Sequence, residues 1–319
     1  MQWKSDGARA IPQAFPYQGS KRVLAGQILS LFPQGGVPLL IEPFAGSAAI
    51  SVAARKYGLA DQVWISDVNE PLIDLWNRIL KEPEDLAASY NRMWHEQQAL
   101  VDGETSDPKG YFFEARQEFN VTKDPDILMY LLARCVKAAV RYAKNGDFNQ
   151  SADNRRLGAK PKAVKDRIFA AHRLLSGRAT AETVSYEAPL VEAPREALVY
   201  MDPPYQGTTD VPDHRYLNGL SYERFSDTLQ QAVDNDVSFI VSYDVVREDN
   251  KYGRALPAEL GLLHRNVVAG KSSQATLLGR EELSVESLYV SPALVRRLGG
   301  VDKIDSLVDL EPTNQDGLF

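Results

Sequence analysis

Asp202-Pro203-Pro204-Tyr205 is the stretch of this 319-residue chain whose residue types and order predict chemistry most directly. It follows the apolar run 198–201, which reads as a buried parallel strand. Neither proline can donate to a sheet, so the strand must end in a stiff turn. At the carboxyl edge of an α/β sheet, this turn would hold a carboxylate, the Pro203 carbonyl and an aromatic face around one space. Such a group suits a planar ring that carries an amino group; the alternative is an ordinary strand-to-loop turn.

A second candidate segment, Tyr17-Gln18-Gly19-Ser20-Lys21, precedes an apolar helical pattern. Gly19 and Ser20 suit a turn into a helix, where free N–H groups favour an anionic ligand group. Lys21 adds a full positive charge, and Tyr17 is placed to lie against a ligand. An aromatic residue at a domain boundary beside a solvated lysine is the plainer alternative.

A third segment is the turn that follows the apolar strand 39–41. Small residues at 45–49 would let the backbone approach a ligand closely. The next strand ends in Asp67, about 20 residues after the glycine turn, where nucleotide-binding folds place an acid on ribose hydroxyls. An ordinary βαβ turn is the alternative. The candidate ligand-binding residues of this turn are Glu42, Pro43, Phe44, Ala45 and Gly46.

Around these segments the pattern predicts an α/β fold with a mostly parallel, Rossmann-like sheet. Alternating segments at 263–268 and 284–290 predict an antiparallel edge. Residues 84–178 show helices and polar loops without strand patterns, which predicts an inserted helical domain. From Val301 onward acids dominate, which predicts a mobile acidic tail over 301–319.

The inserted segment is strongly basic, although the whole chain has a net charge of -7. Residues 134–178 contain 12 Lys or Arg against 3 acids. The clearest helical pattern, 127–142, would place several cations on one face, and a phosphate backbone would compensate their repulsion. A solvated charged face is the alternative. The candidate nucleic-acid-binding residues are Arg134, Lys137, Arg141, Lys144, Asn145, Asn149, Arg155, Arg156 and Lys160.

Composition excludes several other classes of protein. A hydrophobic fraction of 44% and a charged fraction of 25% are typical of a globular protein. No apolar run is long enough for a membrane span and no signal sequence is evident, so a cytoplasmic protein is expected. The single cysteine cannot form an internal disulfide, and the four histidines lack ligand spacing, so no metal site is expected.

Together these segments stand in the order found in the Dam-like, D12 or α-group DNA adenine-N6 methyltransferases, and the chain resembles that family over most of its length. By resemblance, Tyr17, Lys21, Asp67 and Asp202 match its S-adenosylmethionine (AdoMet) positions, and 202–205 match its catalytic motif. The resemblance implies an AdoMet-binding catalytic domain over 1–83 and 179–300 and a helical DNA target recognition domain over 84–178. Two departures stand out: Tyr17-Gln18-Gly19-Ser20 replaces the usual Trp-Ala-Gly-Gly, and Ala48 replaces the second loop glycine.

The implied activity is methyl transfer from AdoMet to N6 of an adenine flipped out of double-stranded DNA. A monomer suffices for this chemistry, and a cognate restriction or defence component is a further expectation. Cytosine-N4 methylation, RNA adenine-N6 methylation and a non-catalytic DNA-binding protein on the same scaffold remain alternatives. The recognition sequence does not follow from the residues.

Overall fold

Apolar runs form the central strands of a seven-stranded sheet in the computed structural model of the protein. The structure describes residues 3, 6–101, 107, 109–204, 220–243, 246–247, 250–251, 254–271 and 283–310. The strands are β1 Val37–Pro43, β2 Ala60–Asp67, β3 Ala179–Thr183, β4 Leu198–Met201, β5 Phe239–Ser242, β6 Val246–Arg247, β7 Asn250–Lys251, β8 Leu263–Lys271 and β9 Leu283–Val290.

The strand order of the large sheet is β3-β2-β1-β4-β5-β9-β8. The pairs from β3 through β5 are parallel, whereas β9 pairs antiparallel with both β5 and β8. The expected mostly parallel sheet with an antiparallel edge is therefore confirmed. Because β2 lies on one side of β1 and β4 on the other, the chain reverses direction across the sheet at β1. In such folds the crevice beside the reversal is the usual ligand site.

The central strands are buried on both faces, which explains why they read as continuous apolar runs. Successive residues of β4 enter different clusters: Leu198 and Tyr200 join the larger hydrophobic cluster, and Val199 and Met201 join the smaller one. The larger cluster continues into the helical segment after residue 83, so that segment packs directly against the sheet's helices.

The described α-helices are short to medium in length. They are α1 Ala25–Ser30, α2 Ala49–Lys56, α3 Glu70–Lys81, α4 Pro83–Val101, α5 Gly110–Thr122, α6 Pro125–Arg134, α7 Pro161–Leu175, α8 Glu187–Val191, α9 Tyr222–Asp234, α10 Pro292–Leu298 and α11 Val301–Leu307. Within the described ranges, none combines the length and apolar character that a bilayer span requires.

The helix expected over 127–142 is wrong beyond Arg134. Cys135 is extended, and Lys137 and Ala138 both have positive φ (59° and 51°). The chain then turns back on itself, with bridges from Cys135 to Ala152 and from Tyr142 to Phe148. Long-range pairing has therefore replaced the continuous helix that local pattern favours. As a consequence the expected single basic helix face does not exist.

The mobile tail expected from Val301 onward is also wrong for its first ten residues. Residues 301–307 form α11, and Ile304 is buried. The Arg265 guanidinium donates to both carboxylate oxygens of Asp305, at 2.6 and 3.0 Å. An apolar anchor and a paired acid therefore attach this segment to β8. Residues 311–319 lie outside the described part of the chain.

Candidate active site

One cavity of about 740 Å³ lies at the carboxyl ends of β1, β2 and β4. The structure brings the three sequence-predicted segments together there, because parallel strands end at the same edge of the sheet. Pro43 lies within β1 and is buried away from the lining. Tyr205 lies outside the described residues. The predicted residues in the lining are Tyr17, Gln18, Gly19, Lys21, Glu42, Phe44, Ala45, Gly46, Asp67, Arg141, Asp202, Pro203 and Pro204.

Lys21 joins the first segment to the turn after β4. It lies in a 3₁₀ turn, Lys21–Val23. Its Nζ is 3.3 Å from Asp202 Oδ1 and 2.5 Å from Oε1 of Glu286, which lies on β9. All three side chains are at least three-quarters buried, so these ion pairs are little screened by solvent. The lysine thus bridges two carboxylates from different parts of the sheet.

The turn after β1 adopts an unusual backbone conformation. Phe44, Gly46 and Ala48 have φ values of 61°, 50° and 45°, in the left-handed region. The buried Glu42 carboxylate accepts hydrogen bonds from the backbone N–H groups of Ile50 and Ser51, at 3.3 and 2.7 Å. It therefore satisfies free donors at the start of α2. Burial raises the pKa of Glu42 to about 7.

Replacing Ala48 by glycine should be nearly neutral for stability. Glycine relieves the strain of a left-handed alanine, which stabilises the variant by about 1–2 kcal/mol. Two losses oppose this gain: the buried methyl group contributes about 0.8 kcal/mol, and the greater freedom of glycine in the unfolded chain costs up to about 1 kcal/mol. Ala53, which is buried inside α2, provides the matched control. Ala53→Gly should lower the free energy of unfolding by about 2 kcal/mol. Urea denaturation measures both, and an equal cost at the two sites would contradict the strained-loop interpretation.

Gly46 allows an aromatic ring to lie directly on the turn. A Cβ at this position would be 2.8 Å from Cε1 of Tyr17. The carbonyl of Gly46 accepts a hydrogen bond from the indole nitrogen of buried Trp76, at 2.9 Å. The glycine therefore sits between a ring on the cavity side and a tryptophan of α3. Close approach, rather than turn geometry alone, explains why glycine occupies position 46.

Asp67 lies at the end of β2 and faces the same turn. Its carboxylate accepts hydrogen bonds from the backbone N–H groups of Gly46 and Asn69, at 3.2 and 3.0 Å. Burial raises its pKa despite these hydrogen bonds. The interactions hold the carboxylate at the cavity wall in a fixed orientation, which suits recognition of ligand hydroxyl groups.

The segment 135–152 after α6, which folds back on itself and is called the hairpin below, forms another wall of the cavity. The backbone N–H of Gln18 donates to the carbonyl of Ala138 at 2.9 Å. The buried Tyr142 hydroxyl donates to Asn69 Oδ1 at 3.0 Å. Arg141, between these contacts, lines the cavity and has a buried Nε without a hydrogen-bond partner in the described part of the chain. The helical segment therefore contributes directly to the site.

Sequence reasoning missed several cavity residues. Tyr186 stacks on Phe44 with ring centroids 4.9 Å apart. Beside them Glu187 pairs with Arg224, at 2.6 Å. The turn after β3 that carries Tyr186 has no glycine or proline signature. Glu286, which contacts the lining residue Lys21 from outside the lining, is on a strand far from every motif. Only tertiary contacts reveal these residues.

The predicted nucleic-acid-binding residues separate into three sets: Arg141 in the cavity wall, Arg134 in the interior, and seven residues on the surface. Arg134 is 1% exposed. Its guanidinium donates to Gln97 Oε1 at 2.6 Å and to the carbonyls of Asp153 and Arg156 at 2.6 and 2.7 Å. Arg134 therefore ties α6 to the hairpin strand inside the protein. By contrast, the residues on the surface are Lys137, Lys144, Asn145, Asn149, Arg155, Arg156 and Lys160.

Several DNA adenine methylases are similar to this chain in sequence. The Retron Ec67 DNA adenine methylase of Escherichia coli is 29% identical over 198 residues, which are 60% of this chain and 63% of that protein. The DNA adenine methylase of Serratia marcescens is 26% identical over 193 residues, 59% of this chain and 65% of that protein. The Salmonella typhi DNA adenine methylase is 29% identical over 196 residues, 59% of this chain and 63% of that protein.

The chain thus spans less than two thirds of the length of these relatives. The family model of D12 class N6 adenine-specific DNA methyltransferases matches residues 17–269, which include every segment around the cavity up to β8. Because the match covers well over half of the chain, the protein belongs to the D12 class N6 adenine-specific DNA methyltransferase family.

Proposed function

We propose that this protein transfers a methyl group from AdoMet to the N6 amino group of an adenine in double-stranded DNA. One observation carries the proposal: the turn after β4, with Asp202, opens into the same cavity as Gly46 and Asp67. A cofactor at the Gly46 side and a base at the Asp202 side would therefore meet within one space. Family membership supports the reaction class.

The residues around the first part of the cavity fit AdoMet. The turn after β1 has one close-packed glycine rather than a phosphate-binding series, which suits a nucleoside without a pyrophosphate. Asp67 is placed for the ribose hydroxyls, and Tyr186 with Phe44 offers an aromatic surface for the adenine ring. A volume near 740 Å³ is within the usual range of ligand pockets, about 300–1,000 Å³. AdoMet supplies an electrophilic methyl group on a positively charged sulfur.

The chain's own residues would prepare the amino nitrogen. In adenine its lone pair is delocalised into the ring, so it is a weak nucleophile. The Asp202 carboxylate and the Pro203 carbonyl would accept the two amino hydrogens, which favours a pyramidal nitrogen and stabilises its developing positive charge. In a direct transfer the N–C bond would form as the C–S bond breaks, so the rate depends on alignment more than on a strong base. The methylated nitrogen would then release one of its protons through the Asp202 carboxylate to solvent.

The helical segment 84–178 is proposed to present DNA to this cavity. An adenine within a duplex is inaccessible, so the base would be flipped out at a cost of a few kcal/mol. The exposed cations of the hairpin and the following loop, Lys137, Lys144, Arg155 and Arg156, would contact phosphates. Arg141 of this hairpin lines the cavity and would be near the flipped base.

We further propose that a single chain performs the reaction in the cytoplasm. One copy of the chain carries the groups that the proposed transfer uses, because Asp202 and Pro203 line the same cavity as Gly46 and Asp67. A cognate restriction or defence component remains a prediction from the family resemblance.

Incubation of the purified protein with tritiated AdoMet and duplex DNA tests the proposed function. We expect radioactivity in DNA and N6-methyladenine after nucleoside analysis. Detection of N4-methylcytosine would show that cytosine is the substrate base, and methyl incorporation into RNA alone would show that RNA is the substrate; either result would contradict the proposed substrate. Binding of duplex DNA without any methylated product would overturn the proposed activity. Sequencing DNA from an expression host would then locate the modified sites.

Gly46→Ala should weaken AdoMet binding because the added Cβ would displace the Tyr17 ring. We expect the Kd for AdoMet to rise at least about tenfold, equivalent to about 1.4 kcal/mol. Gly58→Ala is the matched control, because Gly58 also has positive φ (67°) but its Cβ would meet no atom within 4 Å. Calorimetry gives the affinities and thermal unfolding the strain cost. Equal affinity in both variants would contradict the assigned contact.

A further inference from the structure

We infer that Glu286 is a positioning residue for the reaction: it holds Lys21 so that Asp202 keeps acceptor capacity for the substrate amino group. The inference rests on the proposed methyl transfer and identifies a residue outside all the sequence motifs. Glu286 lies on β9, which is separated from β4 by β5. It nevertheless reaches Lys21 at 2.5 Å, closer than Asp202 does at 3.3 Å.

The position of Glu286 on its strand is physically unusual. On β9, Leu288 and Val290 point into the larger hydrophobic cluster, and strand alternation places Glu286 on the same face. Its register partner on β8 is Val267, which is fully buried. Glu286 itself is only 9% exposed. A carboxylate in such a row requires a charged partner, and Lys21 meets that requirement.

The Lys21 ammonium interacts more closely with Glu286 than with Asp202. The shorter, more buried contact to Glu286 fixes the position of Nζ, and the longer contact to Asp202 uses Oδ1. Without the Glu286 charge, Nζ would move towards Asp202 and compete with the amino hydrogens for its oxygens. Glu286 therefore limits how far Lys21 neutralises the Asp202 carboxylate.

The charge of the cluster leads to a second expectation. These three side chains, one ammonium between two carboxylates, together carry a net charge of minus one beside the cavity. Such a charge favours a cationic sulfonium over the neutral thioether of S-adenosylhomocysteine, the demethylated product. It also means that Lys21 is already neutralised, so its role shifts from binding the methionyl carboxylate to orienting Asp202.

Glu286→Gln tests the inference, because it keeps the shape and removes the charge. We expect kcat to fall by about ten- to a hundredfold while the KM for DNA is unchanged. In equilibrium binding without DNA, the preference for AdoMet over S-adenosylhomocysteine should fall by about tenfold. Asp305→Asn is the matched control, since it removes a partly buried ion pair with Arg265 on the neighbouring strand. It should change neither quantity.

The double variant Lys21→Met with Glu286→Leu separates the effect of the net charge of the cluster from the effect of Lys21 on the Asp202 oxygens. It replaces the pair with apolar groups and so protects the fold if Glu286→Gln is unstable. Asp202 remains and no ammonium competes for its oxygens, so the net charge and the AdoMet preference should persist, and kcat should recover at least part of the loss seen in Glu286→Gln. Wild-type kcat and an unchanged preference in folded Glu286→Gln would overturn the inference. Absence of methylated DNA with the wild-type protein would instead refute the proposed function, and the binding comparison would still test the role of Glu286.

Discussion

Asp202→Asn should lower kcat for DNA methylation by at least about a hundredfold. The asparagine keeps the side-chain shape but replaces one acceptor oxygen with an NH₂ group, which would repel the amino hydrogens of the substrate. It also removes the negative charge that stabilises the developing positive charge on nitrogen. Fixed charges of this kind contribute strongly to rate because they act where charge develops.

The measurement is initial-rate incorporation of tritiated methyl groups into duplex DNA at saturating AdoMet. Lys21 and Glu286 remain paired in this variant, so the fold and its thermal midpoint should be retained. Asp227→Asn, an exposed change on α9, is the control and should keep wild-type kcat. Activity of Asp202→Asn within threefold of wild type would refute the assigned role of the carboxylate.

Arg134→Met should reduce the free energy of unfolding by about 3 kcal/mol or more. The guanidinium is buried and donates to Gln97 and to two backbone carbonyls. Methionine fills much of the volume but leaves these acceptors without donors in a buried region. The expected effect is therefore on folding, although the sequence pattern assigns Arg134 to DNA binding.

Urea denaturation and DNA-binding titrations on the same variants separate the two roles. The control is Lys144→Met, an exposed change on the hairpin. It should leave stability unchanged and lower the salt dependence of DNA binding by about one phosphate contact, a slope change near 0.9. If Arg134→Met kept wild-type stability and lost DNA affinity as Lys144→Met does, the buried structural role would be wrong.

Local sequence was sufficient to identify the strands that are buried on both faces and the helices that have clear end signals. The strands around Leu40 and Val199 are apolar on both faces, so their pattern identifies them without knowledge of their neighbours. The helix α3 begins after Asn69 with Pro71 in its first turn and buries Leu72 and Trp76 at helical spacing, as its pattern indicates. Capping residues and periodicity are local signals and survive in the fold.

Local sequence failed where distant segments compete with helix propensity. After Arg134, backbone pairing with 148–152 replaces the helix that the spacing of Arg134 and Arg141 favours. Similarly, Ile304 and Asp305 attach part of the acidic segment to the body of the protein, although acidic composition alone indicates mobility. The number of acidic residues in a segment does not show which of them form ion pairs in the folded protein.

The sequence by itself determined the kind of chemistry. A carboxylate before two prolines at a strand end, a glycine turn and a strand-terminal acid occur in an order that matches one methyltransferase family. These are short-range features, so each can be recognised from a few neighbouring residues without knowledge of the tertiary contacts.

Only the tertiary structure decided which charges act together. Lys21, Asp202 and Glu286 are far apart in the chain, and Arg134 and Lys144 look alike in sequence. Whether a charge is buried and paired or exposed to a partner depends on the dielectric environment and distances that packing creates. Those quantities are properties of the folded sheet and its covering hairpin, and no local pattern contains them.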